Sequence, residues 1–143
     1  MPRILGVDYG SKRIGIAISD PEARIASPER VIAGRGSLAA DAEAVLAVAR
    51  ELEAAEIVVG LPLHMDGTES DQTRLTRAFI GALRSRACGP VHEWDERLTS
   101  AAADALLAER RLTRKKRKAR HDALAAQIIL GAFLDARSRL TGN

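Results

Sequence analysis

Two short apolar runs open the chain, and a polar turn separates them. Between Ile4 and Ser19 the sequence reads ILGVDYGSKRIGIAIS, and β-branched or other apolar residues dominate both halves. Gly10 and Ser11 lie between the halves and favour a chain reversal. The pattern predicts an antiparallel β-hairpin with Asp8 at the end of its first strand.

A third strand and a covering helix should follow the hairpin. The stretch Ala26–Ile32 is apolar but contains Pro28, which restricts a strand there to the edge of a sheet. Ser37 is a suitable N-cap for a helix that extends to about Glu53. Apolar residues recur in this helix at helical spacing, and its polar residues, Asp41 among them, are expected to face solvent.

The middle of the chain alternates between strands and helices. Ile57–Gly60 is a short continuous apolar run, typical of a strand buried on both faces, and Val91–Asp95 is the next strand. Between them, Thr68 can cap a helix that extends to about Ala87. A strand, a helix and a strand predict a parallel crossover, so the expected fold is α/β, a mixed sheet flanked by helices.

The loop at residues 61–68 lies at the carboxyl end of a predicted strand, where open α/β sheets place ligands. Thr68 and Ser70 could hold a phosphate at the start of the next helix. The structural alternative is an ordinary capped loop, since this turn chemistry is common.

Two further helices are predicted after the last strand. Thr99 or Ser100 can cap the first of them. The second extends from His121 to about Arg139, and its apolar residues follow Asp122 by three, four, seven and eleven positions. We therefore expect Asp122 to point towards the core, although an acidic first turn also complements the helix dipole.

Composition narrows the class of protein. The 143 residues are 46% hydrophobic and 3% aromatic, which suits one domain, residues 1–143, with an aliphatic core. The single cysteine, Cys88, excludes a disulfide framework and a cysteine-based zinc site. No apolar run approaches the roughly 20 residues that span a bilayer, so we expect a soluble cytoplasmic protein without membrane contacts.

Carboxylates end two of the predicted strands. Asp8 follows an apolar run, and an ionised carboxylate there is costly to desolvate unless it is paired, hydrogen-bonded or bound to a metal. Asp95 and Glu96 end a later strand, where successive side chains point to opposite faces, so only one of them should enter a site. A turn cap at Asp8 and an ion pair with Arg97 remain open as structural explanations.

Together with Asp122, these carboxylates suit a hard divalent cation such as Mg²⁺ or Mn²⁺. The three histidines lack the close helical spacing of a histidine metal motif. Two ions about 3.5–4 Å apart can activate water and stabilise the leaving oxygen of a phosphodiester. Metal-dependent hydrolysis of nucleic acid is therefore the hypothesis that accounts for the carboxylates.

A dense basic segment favours the same partner. Residues 110–120, RRLTRKKRKAR, include eight basic residues and no acidic one, in a chain of net charge +3. Crowded like charges favour a mobile loop or a frayed helix end. Lysine and arginine that neutralise phosphates release counterions and so drive binding to nucleic acid, while a solubilising surface run is the structural alternative.

Four stretches, in this order, resemble one bacterial family. They are GVDYGSKRIGIAISDP at Gly6–Pro21, IVVGLPLHMDGTES at Ile57–Ser70, DERLTS at Asp95–Ser100 and HDALAAQIIL at His121–Leu130. Together they are similar to the YqgF family, also called RuvX, of pre-16S rRNA nucleases and Holliday junction resolvase homologues. The resemblance implies an RNase H-like fold and a role in trimming the 5′ end of precursor 16S rRNA.

The resemblance also implies functional residues. Asp8, the Asp95–Glu96 pair and Asp122 would bind Mg²⁺ or Mn²⁺, with Asp8, Glu96 and Asp122 as the catalytic set. We expect contacts with nucleic acid from Lys12, Arg13, Arg97, Arg114, Lys115, Lys116, Arg117, Lys118 and Arg120. Two positions depart from the family pattern, since His64 replaces the usual Asn and His121 replaces an aliphatic residue.

Other functions fit parts of the sequence. A resolvase of branched DNA would use the same carboxylates but needs a symmetric dimer, and we expect a monomer or weak homodimer. A non-catalytic RNA-binding module in transcription would need the basic segment alone. The DYGS turn also resembles the phosphate-binding hairpin of actin-like and sugar kinases, whose second lobe would not fit in 143 residues.

Overall fold

The computed structural model describes residues 3–98 and 114–140, and for residues 114–122 it describes the backbone. The strands are β1 (Arg3–Asp8), β2 (Arg13–Ser19), β3 (Ala26–Ala33), β4 (Ala54–Leu61) and β5 (Val91–Asp95). The helices are α1 (Leu38–Glu51), α2 (Asp71–Arg84) and α3 (Arg114–Leu140), and a 3₁₀ turn at Glu96–Leu98 follows β5.

The strands form one mixed sheet in the order β3-β2-β1-β4-β5. The first three strands pair antiparallel, whereas β4 pairs parallel with both β1 and β5. The predicted mixed sheet is thus confirmed, as is the edge position of the strand that contains Pro28. The carboxyl ends of β1, β4 and β5 meet at one edge of the sheet, which we call the upper edge.

Helices cover both faces of the sheet. On one face, Val7 and Val59 belong to a large apolar cluster with α1 and α2. On the other face, Ile4 and Val58 pack with Leu130 of α3. Each strand therefore alternates its side chains between two apolar layers, as expected for buried strands. Within the described ranges, no helix is long and apolar enough to span a membrane.

Helix α3 lies unusually close to β1. A Cβ atom at Gly6 would be 2.7 Å from Leu130 Cβ and 2.9 Å from the Ala126 carbonyl oxygen. Contacts this short exclude any side chain at residue 6 unless the helix moves. The glycine therefore fixes the distance between α3 and the strand that ends in Asp8.

The structure corrects two predicted helix starts. Helix α3 begins at Arg114 and not at His121, so the described part of the basic segment is helical. Helix α2 begins after Ser70, which forms a reciprocal capping box with Thr73. Thr68 is instead bonded through its hydroxyl to Asp66 Oδ1 over 2.7 Å. The helix predicted after residue 99 lies outside the described residues.

The predicted solvent exposure of Asp41 is wrong. This carboxylate lies in the first turn of α1 and is only 2% exposed. Its oxygens accept hydrogen bonds from the Tyr9 hydroxyl and the Arg35 backbone N–H. Helical periodicity predicted that Asp41 faces solvent, because periodicity takes no account of hydrogen-bond partners from distant parts of the chain.

Candidate active site

Asp8 lies at the upper edge, on the face that α3 covers. Gly6 faces α3, and Asp8, two residues later, points to the same face because strand side chains alternate. Val7 pairs with Val59, and the same parallel register brings Asp8 beside Gly60 of β4. The side chain is half-buried. Asp8 thus stands between a packed apolar layer and the solvent.

Glu96 reaches the same place from β5. Trp94 pairs with Gly60 and packs on the α3 face, edge-on to Phe133 with ring centroids 6.3 Å apart. Glu96, two residues after Trp94, lies over Gly60, where a Cβ would be 3.0 Å from Glu96 Cγ. Ile129 Cδ1 of α3 would be nearer still, at 2.4 Å, so the absence of a side chain at residue 60 leaves space for both Ile129 and Glu96. Asp8 and Glu96 flank this glycine.

The surroundings of Glu96 disfavour its charged form. Burial raises the pKa of the Glu96 carboxyl, and the nearby negative charge of Asp95 raises it further. A cation bound beside Glu96 would reverse both effects, because it stabilises the carboxylate. A raised pKa beside a second carboxylate is the electrostatic pattern common at functional sites.

Asp95 belongs to the opposite face. It pairs with Leu61, which packs with α1 and α2. Arg97 Nη2 donates to Asp95 Oδ2 over 2.6 Å, and its Nε contacts both carboxylate oxygens. These hydrogen bonds lower the pKa of Asp95. The structure therefore does not bring Asp95 together with Asp8, and it pairs Arg97 within the protein.

Asp122 lies in the described backbone of α3, one turn before Ala126. Since Ala126 approaches Gly6 of β1, this turn of the helix is near the strand that carries Asp8. Among the side chains that the structure describes, no three His, Cys, Asp or Glu residues form a metal-binding group. A third carboxylate from Asp122 stays a prediction, while the oxygen donors of Asp8 and Glu96 suit a hard cation.

The β1–β2 turn adds positive charge next to Asp8. It borders a cavity of about 310 Å³ whose lining consists of Asp8, Tyr9, Gly10, Ser11, Lys12, Arg13 and Gln72. Lys12 and Arg13 are exposed there. Cationic side chains beside a carboxylate site suit a phosphate-bearing substrate. For the basic segment, the structure adds that residues 114–120 belong to α3.

The loop between β4 and α2 is internally bonded. Its backbone closes through His64 N–H to the Thr68 carbonyl over 3.0 Å, and Gly67 has a φ of +88°. Arg97 Nη1 lies 3.4 Å from the Met65 carbonyl oxygen, which joins the loop to the turn that carries Glu96. The Thr68 hydroxyl donates to Asp66 and the Ser70 side chain caps α2, so the capped-loop explanation fits this loop.

Sequence reasoning missed the residue that follows Asp8. Tyr9 is buried, and its hydroxyl donates to Asp41 Oδ2 over 2.6 Å. Burial and the Asp41 carboxylate raise the pKa of Tyr9, so its hydroxyl stays protonated and remains a donor. The available signal was composition: Tyr9 is the one tyrosine of the chain, and a buried tyrosine hydroxyl requires a partner.

The strand order, with carboxylates at the ends of β1 and β5, defines an RNase H-like α/β domain. Several solved structures share this fold, among them the following two. Thermus thermophilus RuvC in complex with a Holliday junction substrate aligns at a TM-score of 0.62 and 18% identity, over 97% of both chains. The large terminase nuclease of thermophilic phage G20c aligns at 0.54 and 11% identity, over 92% of this chain and 81% of that one.

The chain belongs to the RuvX family, whose model, described as Holliday junction resolvase, matches residues 2–136. Similar proteins from Halothermothrix orenii and Rhizobium meliloti carry the name "Putative pre-16S rRNA nuclease". The first is 41% identical over 98% of this chain and 99% of its own length. The second is 41% identical over 96% of this chain and 82% of its own length.

Proposed function

We propose that this protein is a metal-dependent nuclease that hydrolyses phosphodiester bonds at the 5′ end of precursor 16S rRNA. The observation that supports this most directly is the placement of Asp8 and Glu96 on either side of Gly60, on one face of the sheet. The names of full-length relatives support the substrate.

Asp8 and Glu96 would hold Mg²⁺ or Mn²⁺ through their carboxylate oxygens, with Asp122 as the proposed third ligand. Such an ion supplies a more acidic water and stabilises the charge on the leaving 3′ oxygen. Glu96 must lose its proton before it can act as a ligand. Because its pKa is raised, metal binding and cleavage should both increase as the pH rises through that pKa.

The protein's own cations would position the RNA. Lys12 and Arg13 lie on the turn next to Asp8 and would contact the phosphates that flank the reacting bond. The basic residues of 114–120 would hold a neighbouring stretch of backbone. Arg97 would act indirectly, since its ion pair with Asp95 fixes the turn that carries Glu96.

The test is cleavage of a 5′-extended 16S rRNA precursor by the pure protein with Mn²⁺ or Mg²⁺. Asp8→Asn keeps the side-chain size and removes the charge, so cleavage should fall by two orders of magnitude or more. Asp20→Asn is the matched control, because Asp20 follows β2 at the opposite edge of the sheet, and this variant should leave cleavage within a few-fold of wild type. Binding of RNA without cleavage by the wild type would instead favour a non-catalytic RNA-binding module.

A Holliday junction resolvase is the second candidate, which the description of the family model favours. It would use the same carboxylates on a four-way DNA junction, in a dimer that makes two symmetric cuts. A four-way junction assayed beside the RNA separates the two proposals. Cleavage of the RNA alone, by a protein that sediments as a monomer, would exclude the resolvase.

A further inference from the structure

Two consecutive residues at the end of β1 face opposite sides of the sheet. Asp8 lies on the α3 face, whereas Tyr9, 6% exposed, packs among α1 and α2. The Tyr9 ring stacks on Phe79 of α2, with 4.0 Å between ring centroids and 10° between ring planes. Because the two residues share a planar peptide unit, the orientation of Tyr9 limits that of Asp8.

A buried carboxylate holds the Tyr9 hydroxyl. Tyr9 donates to Asp41 Oδ2 over 2.6 Å, and the Arg35 backbone N–H donates to Asp41 Oδ1 over 2.6 Å. Asp41 lies in the first turn of α1, where the helix dipole favours a negative charge. Both carboxylate oxygens therefore have partners, and one of those partners is the residue that follows Asp8.

Other elements hold the backbone around Tyr9. Gln72 Nε2 of α2 donates to the Tyr9 carbonyl over 3.1 Å, and Gly34 N–H donates to the Lys12 carbonyl over 2.9 Å. Strand β1 ends at Asp8, so Tyr9 lies beyond the hydrogen-bond ladder that fixes the strand. Contacts from α1, α2 and the segment before α1 replace that ladder.

Stability alone accounts poorly for this arrangement. A phenylalanine would form the same ring stack, and replacing both partners of a buried hydrogen bond by apolar groups of the same shape can be nearly neutral for stability. Burying the Asp41 carboxylate also costs free energy until its hydrogen bonds form. What the hydroxyl and the carboxylate add is direction, because a short hydrogen bond fixes an angle that apolar packing leaves free.

We propose that the Tyr9–Asp41 pair, together with Gln72, is a positioning device that sets the orientation of Asp8 towards a bound divalent cation. The inference rests on the proposed nuclease function. Tyr9, Asp41 and Gln72 are positioning residues, since each acts through the Asp8 backbone. Asp8 on the α3 face is thereby connected to the buried layer that Tyr9 forms with α1 and α2 on the other face.

The test compares Tyr9→Phe and Gln72→Leu with wild type in two measurements, Mn²⁺ affinity by calorimetry and the kinetics of RNA cleavage. A displaced ligand should weaken Mn²⁺ binding and lower kcat by about tenfold, with KM unchanged, because catalysis is sensitive to small errors of position. Tyr9→Phe removes the hydrogen bond of the Tyr9 hydroxyl, and Gln72→Leu removes the hydrogen bond to the Tyr9 carbonyl. Both variants should therefore show weaker Mn²⁺ binding and a lower kcat.

Glu56→Gln is the matched control. It disrupts a comparable polar contact at the opposite edge of the sheet, where Glu56 binds Arg137 and His92. It should lower the thermal midpoint while leaving Mn²⁺ affinity and kcat unchanged. If Tyr9→Phe and Gln72→Leu stay within twofold of Glu56→Gln while all three are folded, the pair is structural and the inference is overturned.

Failure of the proposed function is separable from failure of the inference. A wild-type protein that binds Mn²⁺ but cuts no RNA overturns the proposed function, and the Mn²⁺ affinities of the variants then decide the inference. A wild-type protein that binds no Mn²⁺ overturns both.

Discussion

Glu96 is a carboxyl group whose surroundings oppose the charged form that metal binding needs. Its charged form is the one that a metal site requires, yet burial and Asp95 both raise its pKa. In the absence of a cation, the folded protein therefore tolerates the charge of Glu96 poorly. Functional carboxylates commonly cost stability in this way, because the site is built for the bound state.

Replacing Glu96 by Gln should stabilise the metal-free protein at pH 7. The folded pKa lies above the unfolded value, so the wild type loses stability as the pH rises through this range and Glu96 becomes charged, whereas Gln stays neutral. We expect a gain of about 0.5–1 kcal/mol in the free energy of unfolding, measured with a chelator present. The gain should vanish near pH 4, where wild-type Glu96 is protonated.

Mn²⁺ should invert this order, since it stabilises wild type and not the variant. Glu93→Gln, an exposed substitution on β5, the strand that precedes Glu96, should change stability by less than about 0.5 kcal/mol. If the metal-free Glu96→Gln protein unfolds more easily than wild type at pH 7, the charge of Glu96 does not destabilise the metal-free fold.

Glu56 shows the opposite electrostatics at the other edge of the sheet. Arg137 donates to Glu56 Oε1 over 2.7 Å, and this hydrogen bond, with a further one to His92, lowers the pKa of Glu56 although burial opposes the shift. The stabilisation is present above the unfolded pKa, about 4.3, and is lost as the pH falls through the lower folded pKa.

We therefore expect Glu56→Gln to destabilise the protein by about 1 kcal/mol at pH 7, a modest value because solvent partly screens Arg137. The difference between variant and wild type should shrink as the pH falls from about 4.3 through the lowered folded pKa of Glu56, where the wild-type carboxyl becomes neutral as well. Urea unfolding at several pH values measures it. A difference that does not change with pH would show that packing, and not charge, is responsible.

At the scale of elements, the sequence specified strands better than helix ends. The span Val91–Asp95 was predicted without error, because a run of apolar residues between turn signals has few alternatives. The start of α2 was misplaced at Thr68 because several residues there can cap a helix, and the choice of Ser70 depends on the separate turn that Asp66 stabilises.

The sequence indicated which residues could form the candidate site, but not how they are arranged in space. Strand alternation allowed one of Asp95 and Glu96 to enter a site, and the sequence favoured Glu96 only through a family resemblance. The partner of Tyr9 and the space above Gly60 depend on contacts between segments far apart in the chain. No local pattern encodes such contacts.

The close packing of α3 on β1 yields a prediction about glycine. Gly6→Ala should destabilise the protein by about 2 kcal/mol or more, because its Cβ would overlap Leu130 and the backbone of Ala126. Gly81→Ala is the control, since Gly81 lies within α2 with nothing near its added Cβ. That variant should be more stable by about 0.5–1 kcal/mol. Thermal unfolding measures both changes, and equal effects would refute the packing argument.

At the scale of the whole molecule, the basic residues at the start of α3 extend the positive charge away from the body of the sheet. Arg114 precedes Ala126 by twelve residues, which a helix extends over about 18 Å. Ala126 lies against Gly6 of β1, and Arg137, eleven residues later, binds Glu56 at the opposite edge, so the basic start of α3 points away from that edge. A substrate at Asp8 and Glu96 would therefore meet this segment as a separate contact.

Changing both Lys115 and Lys116 to Gln should make RNA binding less dependent on salt. Each lost phosphate contact reduces the slope of log K against log salt by about 0.7 for single-stranded RNA, so two lost contacts reduce it by about 1.4. The double change Arg24→Gln and Arg50→Gln removes equal charge from the opposite edge and should leave the slope unchanged. Equal slopes for both double variants would mean that net charge alone drives binding.

The packing of α3 on β1 also sets the order in which the site can arise during synthesis. Asp8 and Glu96 are translated before α3, and among the described elements α3 is the one that covers the sheet face with Ile4 and Val58. Since a domain folds as a unit, the face that carries the candidate site should assemble only after α3 has been made. Under the proposed nuclease function, a nascent chain would then be unable to cut the RNA of the ribosome that is making it.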